Sequence, residues 1–551
     1  MIGDLLSIPQ EVLTHILSIL DAPSLVCCAM TCKYIYKLLE ESSILGYIIE
    51  SHWNGVTDSG ASSTRSYRDL VQDLRASRRA WIAPRWSLTV SAQVDDPNLP
   101  YECAGDTVVR RSNKHLEITT LRNTNKSSEN HTKKRALKKQ FSVGQSHFAI
   151  DPAQDLIILL ENADAQMPLT ETRIFYVHIR TLSSDDPHPS AQSKCPLEIS
   201  IPPNIASNKI YGPKLEIARN IVMLQFHTAA LGNEARQLRV LIWDWMSSKP
   251  LMDISSSSQP GAVLPLPHCN IVLLNTEYFL ITSSKNNGSI ELYQLVRSDT
   301  PNAPPIHHAT LHLPSIRPHI EVDHIDAKAG PIETRPLRHT PFSVNDDDRI
   351  HVFSVDYVRW EAEMWWEAMP TIVYVHQRVF TLYCAKHSNL CDPPLDIPWT
   401  EWGPDNVRIV FPSCSQSGWS GHVHGQRTIC PCPMGYDGKE NGTIQNDVFD
   451  SLSVLDFSIG AILSAKGRLD GDLDTSESES KRMRGSLVPP VKILASDVLI
   501  YADDVENRLP CVSCEVDTQW IYDSYFLNAD GIVCISKDLD ASVLMLDAYI
   551  A

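Results

Sequence analysis

From about Arg85 to the end of the chain, short apolar runs are separated by turns rich in Pro, Gly, Asn and Asp. Such runs are typical of β-strands, and 36 Pro among 551 residues disfavour long helices. Asp530-Gly531 between two apolar runs also predicts a hairpin. The best strand candidates are Leu156–Leu160, Ile221–Gln225, Val240–Trp245, Phe279–Ser283, Ile290–Leu295, Ile350–Val355, Ile372–Val375, Val407–Phe411, Val498–Tyr501, Ile532–Ile535 and Val543–Leu546.

These strands recur in units of about 57–71 residues, which is the weak regularity of a divergent β-propeller. About seven blades would occupy residues 85–551, with room for long polar insertions. Two β-sandwiches in tandem would also fit the strand count, but the even spacing favours the propeller. The predicted surface insertions are Asn123–Gln140, Ser183–Ser193, Pro301–Pro305, Pro318–Pro341 and Leu469–Ser486.

The first 84 residues have a different period, because their apolar residues recur three or four positions apart, as on one face of a helix. Three short helices are predicted from the sets Val12, Leu13, Ile16, Leu17 and Leu20; Leu25, Val26, Cys28 and Ala29; and Ile35, Leu38 and Leu39. A longer helix is expected to pack as a linker before the strands through Tyr67, Leu70, Val71, Leu74, Trp81 and Trp86.

The segment from Leu5 to about Leu45 resembles the F-box family. The resemblance is carried by an ordered set of short motifs: Ile8-Pro9-Gln10-Glu11-Val12, Ile16-Leu17, Leu20-Asp21, Ser24-Leu25 and Thr31-Cys32-Lys33. The Trp that often follows the Lys is replaced here by Ile35 or Tyr36. The resemblance covers under a tenth of the chain, yet the order of about a dozen positions is specific.

The helical and strand patterns, together with the resemblance, predict a multidomain α plus all-β protein with three parts. These are a trihelical F-box over residues 1–50, a helical linker over residues 51–84, and a β-propeller-like domain over residues 85–551 that recognises a protein substrate. F-box modules dock on a Skp-type adaptor and, through it, on a cullin scaffold and a RING subunit. The adaptor-binding residues implied here are Ile8, Pro9, Glu11, Val12, Ile16, Leu17, Leu20, Leu25, Val26, Cys32 and Lys33.

The resemblance therefore implies the substrate-recognition subunit of an SCF-type ubiquitin ligase, without catalytic residues of its own. A physical argument agrees, since helices this short need a partner surface to cover their apolar stripe. Two alternatives remain at this stage. The helices could simply cap the following domain, or the propeller could be a scaffold that acts outside ubiquitin ligation.

Composition limits the other partners and the compartment. The formal charge of −18 disfavours non-specific binding to nucleic acid or to anionic membranes. No apolar run is long enough to span a membrane, and the 14 Cys are too few for a disulfide scaffold. We therefore expect a cytoplasmic or nuclear protein. Lys133–Lys139 could serve as a nuclear import signal, although such runs are more often solvated loops.

Sites for a metal or for catalysis have little support in the sequence, and no cofactor is predicted. Cys430, Cys432, Cys511 and Cys514, with His422 and His424, could supply zinc ligands, but about 80 residues separate the two pairs. Ordinary loop and strand cysteines are the favoured interpretation. Ser417–Gly421 lacks the strand–helix context of a nucleophile, and it is interpreted as a loop.

Overall fold

The structure is a computed structural model that describes most of the chain in separate stretches. The described residues are 8–58, 65–83, 87–95, 101–111, 116–120, 133–137, 147–162, 173–201, 211–229, 236–255, 270–297, 303–332, 341–361, 365–387, 393–411, 423–430, 451–467, 485–517, 524–529, 531–538 and 543–550.

The beginning of the chain is helical, as the apolar period predicts. Pro9 precedes the first helix, and Asp21 begins the second by accepting a hydrogen bond from the Ser24 backbone N–H at 2.9 Å. Ser66 caps the fifth helix in the same way, through the Asp69 backbone N–H. The helices are α1 Gln10–Leu17, α2 Ala22–Thr31, α3 Lys33–Glu41, α4 Ser43–Trp53, α5 Tyr67–Ile82, α6 Arg378–Lys386, α7 Trp399–Trp402 and α8 Ile459–Ala465.

The remainder of the described chain is rich in strands. In chain order the strands are β1 Val56–Asp58, β2 Ser87–Asp95, β3 Tyr101–Ala104, β4 Thr107–Arg111, β5 Leu116–Thr120, β6 Lys133–Leu137, β7 His147–Asp151, β8 Leu156–Asn162, β9 Arg173–Thr181, β10 Leu197–Ile201, β11 Tyr211–Ala218, β12 Ile221–Ala229, β13 Arg236–Asp244, β14 Lys249–Ser255, β15 Ile271–Leu273, β16 Tyr278–Ser283, β17 Ser289–Gln294, β18 Ile306–His312, β19 Ile320–Ala329, β20 Phe342–Val344, β21 Ile350–Glu361, β22 Trp365–His376, β23 Leu395–Ile397, β24 Val407–Val410, β25 Val423–His424, β26 Arg427–Cys430, β27 Ser451–Asp456, β28 Ser486–Val488, β29 Val491–Ile493, β30 Val505–Asn507, β31 Cys511–Asp517, β32 Ser524–Leu527, β33 Gly531–Asp538 and β34 Val543–Ile550.

Within the described residues these strands form seven small sheets of four or five strands. The first four sheets are β3–β6, β7–β10, β11–β14 and β15–β18, the last with β23 added in parallel at its edge. The fifth has the order β19-β21-β22-β24, the sixth β25-β26-β27-β31-β28, and the seventh β32-β33-β34-β2. The earliest strand of the region, β2, thus pairs antiparallel with the last, β34.

Neighbouring sheets pack against each other through shared apolar cores. Ile158 of the second sheet and Leu224 of the third lie in one buried cluster, for example. Equivalent clusters join each sheet to the next, from the first to the seventh. The seventh sheet also touches the first, because the Phe526 and Tyr101 rings lie 5.8 Å apart. A strand-rich domain of many small sheets therefore follows the helical region.

The structure confirms most predicted strands and corrects three predictions. The predicted insertion Asn123–Gln140, which includes the basic run, contains strand β6 Lys133–Leu137, paired with β5. Ten of the eleven strand candidates lie on strands, but Val498–Tyr501 forms a turn. The apolar run has another explanation, because Ile500 and Tyr501 are buried against the core of the fourth and fifth sheets. The predicted loop Pro318–Pro341 contains β19, whose alternating buried and exposed residues mark a half-buried strand.

The helical region is fastened to the sheets through α5. A buried carboxylate on α4, that of Glu50, accepts hydrogen bonds at 2.6 Å from Arg78 and at 2.6 Å from Arg75. Glu50 and Arg78 are only 2% and 1% exposed. Gly460 of α8 packs against the Arg78 side chain, where a Cβ would come within about 3.0 Å. The ion group therefore ties α4 to α5 next to the sixth sheet.

Two further contacts hold the same junction. Trp81 at the end of α5 is buried between the sixth and seventh sheets, and its Nε1 donates to the Ala529 carbonyl at 3.3 Å. Strand β1 pairs with β20, so that Val56 lies opposite Val344. Leu70, Val71 and Leu74 are buried beside Tyr47 of α4, as the linker prediction requires, while Trp86 lies outside the described residues.

We predict that Arg78→Leu loosens α5 while leaving the sheets folded. Removing one partner of a buried ion pair leaves the other charge poorly compensated, at a cost of about 3 kcal/mol. Amide hydrogen exchange across α5 should therefore accelerate by about a hundredfold. Arg68→Leu, an exposed position on the same helix, is the matched control and should leave the exchange unchanged. Equal protection of α5 in both variants would show that the ion group does not hold the helix.

Candidate functional site

The first four helices enclose a small apolar core of their own. Eight buried side chains form this core, namely Leu13, Leu17, Ala22, Leu25, Ile35, Leu38, Leu45 and Ile49. Helices of eight to eleven residues are not stable alone in water, so this shared core is what holds them together. On α4, residues outside this core also pack against α5, as Tyr47 and Glu50 do.

Helices α1 and α2 leave large apolar side chains exposed. Val12, Ile16 and Ile19 are spaced four and three residues apart, and Val26 and Met30 are four apart on α2. Residues with these spacings lie on one side of a helix. Ile16 is 41% exposed, Ile19 is 76% exposed and Met30 is 82% exposed. We call these five residues the exposed apolar face.

The structure separates the predicted adaptor-binding residues into three groups by burial. Leu17 and Leu25 lie inside the helical core, so they support the fold instead of offering a surface. Ile8, Leu20 and Cys32 are partly buried against that core. The exposed members are Pro9, Glu11, Val12, Ile16, Val26 and Lys33.

Two members of the exposed apolar face were not predicted from the sequence. Ile19 follows the last turn of α1, and Met30 lies near the end of α2. Their signal in the sequence is the continuation of the exposed spacing, since Ile19 follows Ile16 by three positions and Met30 follows Val26 by four. The spacing identifies Ile19 and Met30 only once the buried positions of α1 and α2 are known.

Charged groups border the exposed apolar face but do not form a reactive cluster. Glu11 lies in the first turn of α1, where the helix dipole favours a carboxylate. The hydrogen bonds from Ser24 lower the pKa of Asp21 from its usual value, so this cap stays ionised. Lys33 begins α3 and is exposed. The arrangement offers an apolar surface with charged groups beside it.

Those candidate zinc ligands that the structure describes are not placed together as a metal site. Cys430 of β26 and Cys511 of β31 lie in one apolar cluster, while Cys514 lies in another. Cys432, His422 and the Ser417–Gly421 segment lie outside the described residues. Among the residues that the structure describes, no three His, Cys, Asp or Glu side chains are placed to hold a metal ion. Over the same residues, no helix is long and apolar enough to cross a membrane.

Comparison with known proteins assigns the helical region. Residues 5–45 match the family model described as F-box-like. The chain carries an N-terminal F-box-like domain. This match confirms the resemblance and supports an F-box protein. F-box domains typically bind Skp1-type adaptors, and F-box proteins are generally non-catalytic substrate receptors of SCF-type ligases. No curated protein matches the chain.

We predict that Cys511 and Cys514 resist thiol reagents. Burial raises the pKa of each thiol to about 12, so almost no reactive thiolate is present at pH 8. Cys27 and Cys195 are exposed and serve as internal controls. Timed alkylation at pH 8, followed by peptide mass spectrometry, should label the two controls at least about a hundredfold faster. Comparable labelling of all four would contradict the buried placement.

Proposed function

We propose that this chain is the substrate-recognition subunit of an SCF-type cullin–RING ubiquitin ligase. In this proposal the F-box-like domain docks on a Skp-type adaptor, which connects it to the cullin scaffold and the RING subunit. The strand-rich domain binds the protein to be ubiquitylated. The chain itself contributes no catalysis and acts in the cytoplasm, the nucleus or both. The observation that carries the proposal is the exposed apolar face on an F-box-like domain.

The exposed apolar face supports docking because no part of the chain that the structure describes covers it. Single exposed apolar residues are common on protein surfaces and need no explanation. Here five large side chains are exposed on two consecutive short helices. A groove or helix of a partner would bury them, with the exposed Pro9, Glu11 and Lys33 at the edge. Leu17 and Leu25 contribute indirectly, by fixing the positions of the helices.

We further propose that the seven sheets are the blades of a β-propeller. The support is the order of contacts, since β3 lies beside β7, β7 beside β11, β11 beside β15, β15 beside β19, β19 beside β25, and β25 beside β32. These are the first strands of successive sheets. Pairing of β2 with β34 would close such a ring by joining the two ends of the domain. The boundaries proposed for the parts are 1–50, 51–84 and 85–551.

The junction with the helices indicates which side of the sheets faces the substrate. Trp81 contacts Ala529 between β32 and β33, β1 pairs with β20 between β19 and β21, and Gly55 lies beside Gln426 between β25 and β26. All three contacts involve connections between the first and second strands of a sheet. We propose that the side of the sheets opposite these connections binds the substrate.

The alternative is a scaffold that acts outside ubiquitin ligation. It differs from the main proposal in a single respect, which is the presence of the cullin. Purification of the tagged full chain from cells should recover a Skp-type adaptor and a cullin together. Recovery of the adaptor without the cullin would favour the scaffold.

We predict that Ile16→Ala combined with Met30→Ala weakens adaptor binding by at least about thirtyfold. Truncating a single interface anchor typically costs about 2 kcal/mol or more, and both side chains are exposed in the free chain. Because neither lies in the helical core, the domain should stay folded. Leu17→Ala is unsuitable for this purpose, since it would leave a cavity in that core.

The matched control carries Leu382→Ala with Leu499→Ala, two exposed apolar positions on the strand-rich domain. It loses the same kind of side chain and should bind a purified Skp-type adaptor as the unmodified chain does. Titration by calorimetry gives the affinities, and circular dichroism gives the helix content. Equal affinity in the two double variants would remove the exposed apolar face from the interface and refute the proposed docking.

A further inference from the structure

A cavity lies at the junction between the helices and the sheets, away from the exposed apolar face. Its volume is about 300 Å³, and its walls come from α5, from the β1–β20 pair, and from the sixth and seventh sheets. Polar atoms line it from several directions, contributed by Asn54, Ser77, Ser343, His424, Gln426 and Ser458. Small-molecule sites of proteins favour such interfaces between parts of a chain, and this volume is at the lower end of their range.

A buried hydrogen-bond acceptor lies behind one wall of the cavity. Gln426 lines the cavity and is buried, and its Oε1 has no partner among the described residues. Leaving a buried amide oxygen unpaired is unfavourable, because the group loses its hydrogen bonds to water. Rotation about the last side-chain torsion is soft, so the amide can turn toward a molecule in the cavity. Gly55, at φ +64°, leaves the room for this amide, because a Cβ there would lie 2.4 Å from Gln426 Nε2.

The charges around the cavity are already paired, which limits the ligand. Arg65 contacts Asp73 at 2.6 Å, and Arg427 contacts Asp456 at 2.8 Å. Arg427 also lies over the Trp81 ring, and Asp456 accepts a hydrogen bond from the Ser458 backbone N–H. Each of these four charged side chains of the wall therefore has a partner of opposite charge. A charged ligand would leave water without gaining a counter-charge, which is costly. A neutral polar ligand does not carry this cost.

We propose that this cavity binds a small neutral carboxamide. Its N–H donates to Gln426 Oε1, and its carbonyl accepts from a hydroxyl donor of the wall, for which Ser77 lies on the helical side. Such a ligand would contact the linker helix and the sheets at once, so it would stabilise their junction. The proposal does not depend on the adaptor-binding function, because no residue of α1 or α2 lines the cavity.

The probe is nicotinamide, tested on the full chain by ligand-observed NMR titration and by thermal unfolding. We expect a dissociation constant on the order of 1 mM and a rise in the unfolding temperature. N,N-dimethylnicotinamide lacks the N–H, and nicotinate carries a negative charge. Each should bind at least about tenfold more weakly, the first because it cannot satisfy Gln426 and the second because its charge is unpaired.

Two variants locate the site. Gln426→Met keeps the length of the side chain but removes the acceptor, and Ser77→Trp fills the cavity from an exposed position of α5. Both should reduce nicotinamide affinity at least about tenfold, while Arg68→Leu should not. The proposal is overturned if nicotinamide does not bind, if nicotinate binds as well as nicotinamide, or if Ser77→Trp leaves its affinity unchanged. The Ser77→Trp result stands even where Gln426→Met alters folding.

Discussion

The arrangement of the whole molecule depends on one buried ion group, formed by Glu50 with Arg75 and Arg78. Removing a carboxylate from water is costly, and only well-placed donors offset the loss. Two guanidinium groups on α5 do so at 2.6 Å each, which leaves α4 and α5 one low-energy arrangement. Since Trp81 anchors the other end of α5 in the sheets, the F-box-like domain is held at a fixed position on the strand-rich domain.

Local patterns predicted the elements well because their period is a local property. The helical spacing around Leu13 and Leu70 appears as α1 and α5, and ten apolar runs appear as strands. Patterns failed where tertiary contacts decide the outcome. Tyr501 belongs to an apolar run that predicted a strand, but its burial comes from packing on a neighbouring sheet. The sequence of β19 resembled a loop because only some residues of this strand are buried. The Glu50 ion group left no sign in the sequence, since its partners lie 25 and 28 residues away.

The candidate site was predictable as a set of residues but not as a surface. A family pattern records every position that matters, whether it builds the core or meets the partner. Leu17 and Ile16 are adjacent in the sequence and have the same chemistry, yet only Leu17 is buried. Sorting them requires the packing of α1 against the neighbouring helices, and that packing also exposes Ile19 and Met30. Burial thus separates the eleven predicted positions into those that build the core and those that a partner could contact.

In the proposed function, the chain would contribute to the reaction by holding the substrate in position. Its contribution therefore depends on how precisely two distant surfaces are held relative to one another. One of these surfaces is the exposed apolar face of the helical region, and the other is the proposed substrate side of the sheets. The described contacts between them include the junction of α4, α5 and the sixth and seventh sheets, and the β1–β20 pair. A molecule bound in the cavity at this junction would act on the element that sets the distance, without touching either binding surface.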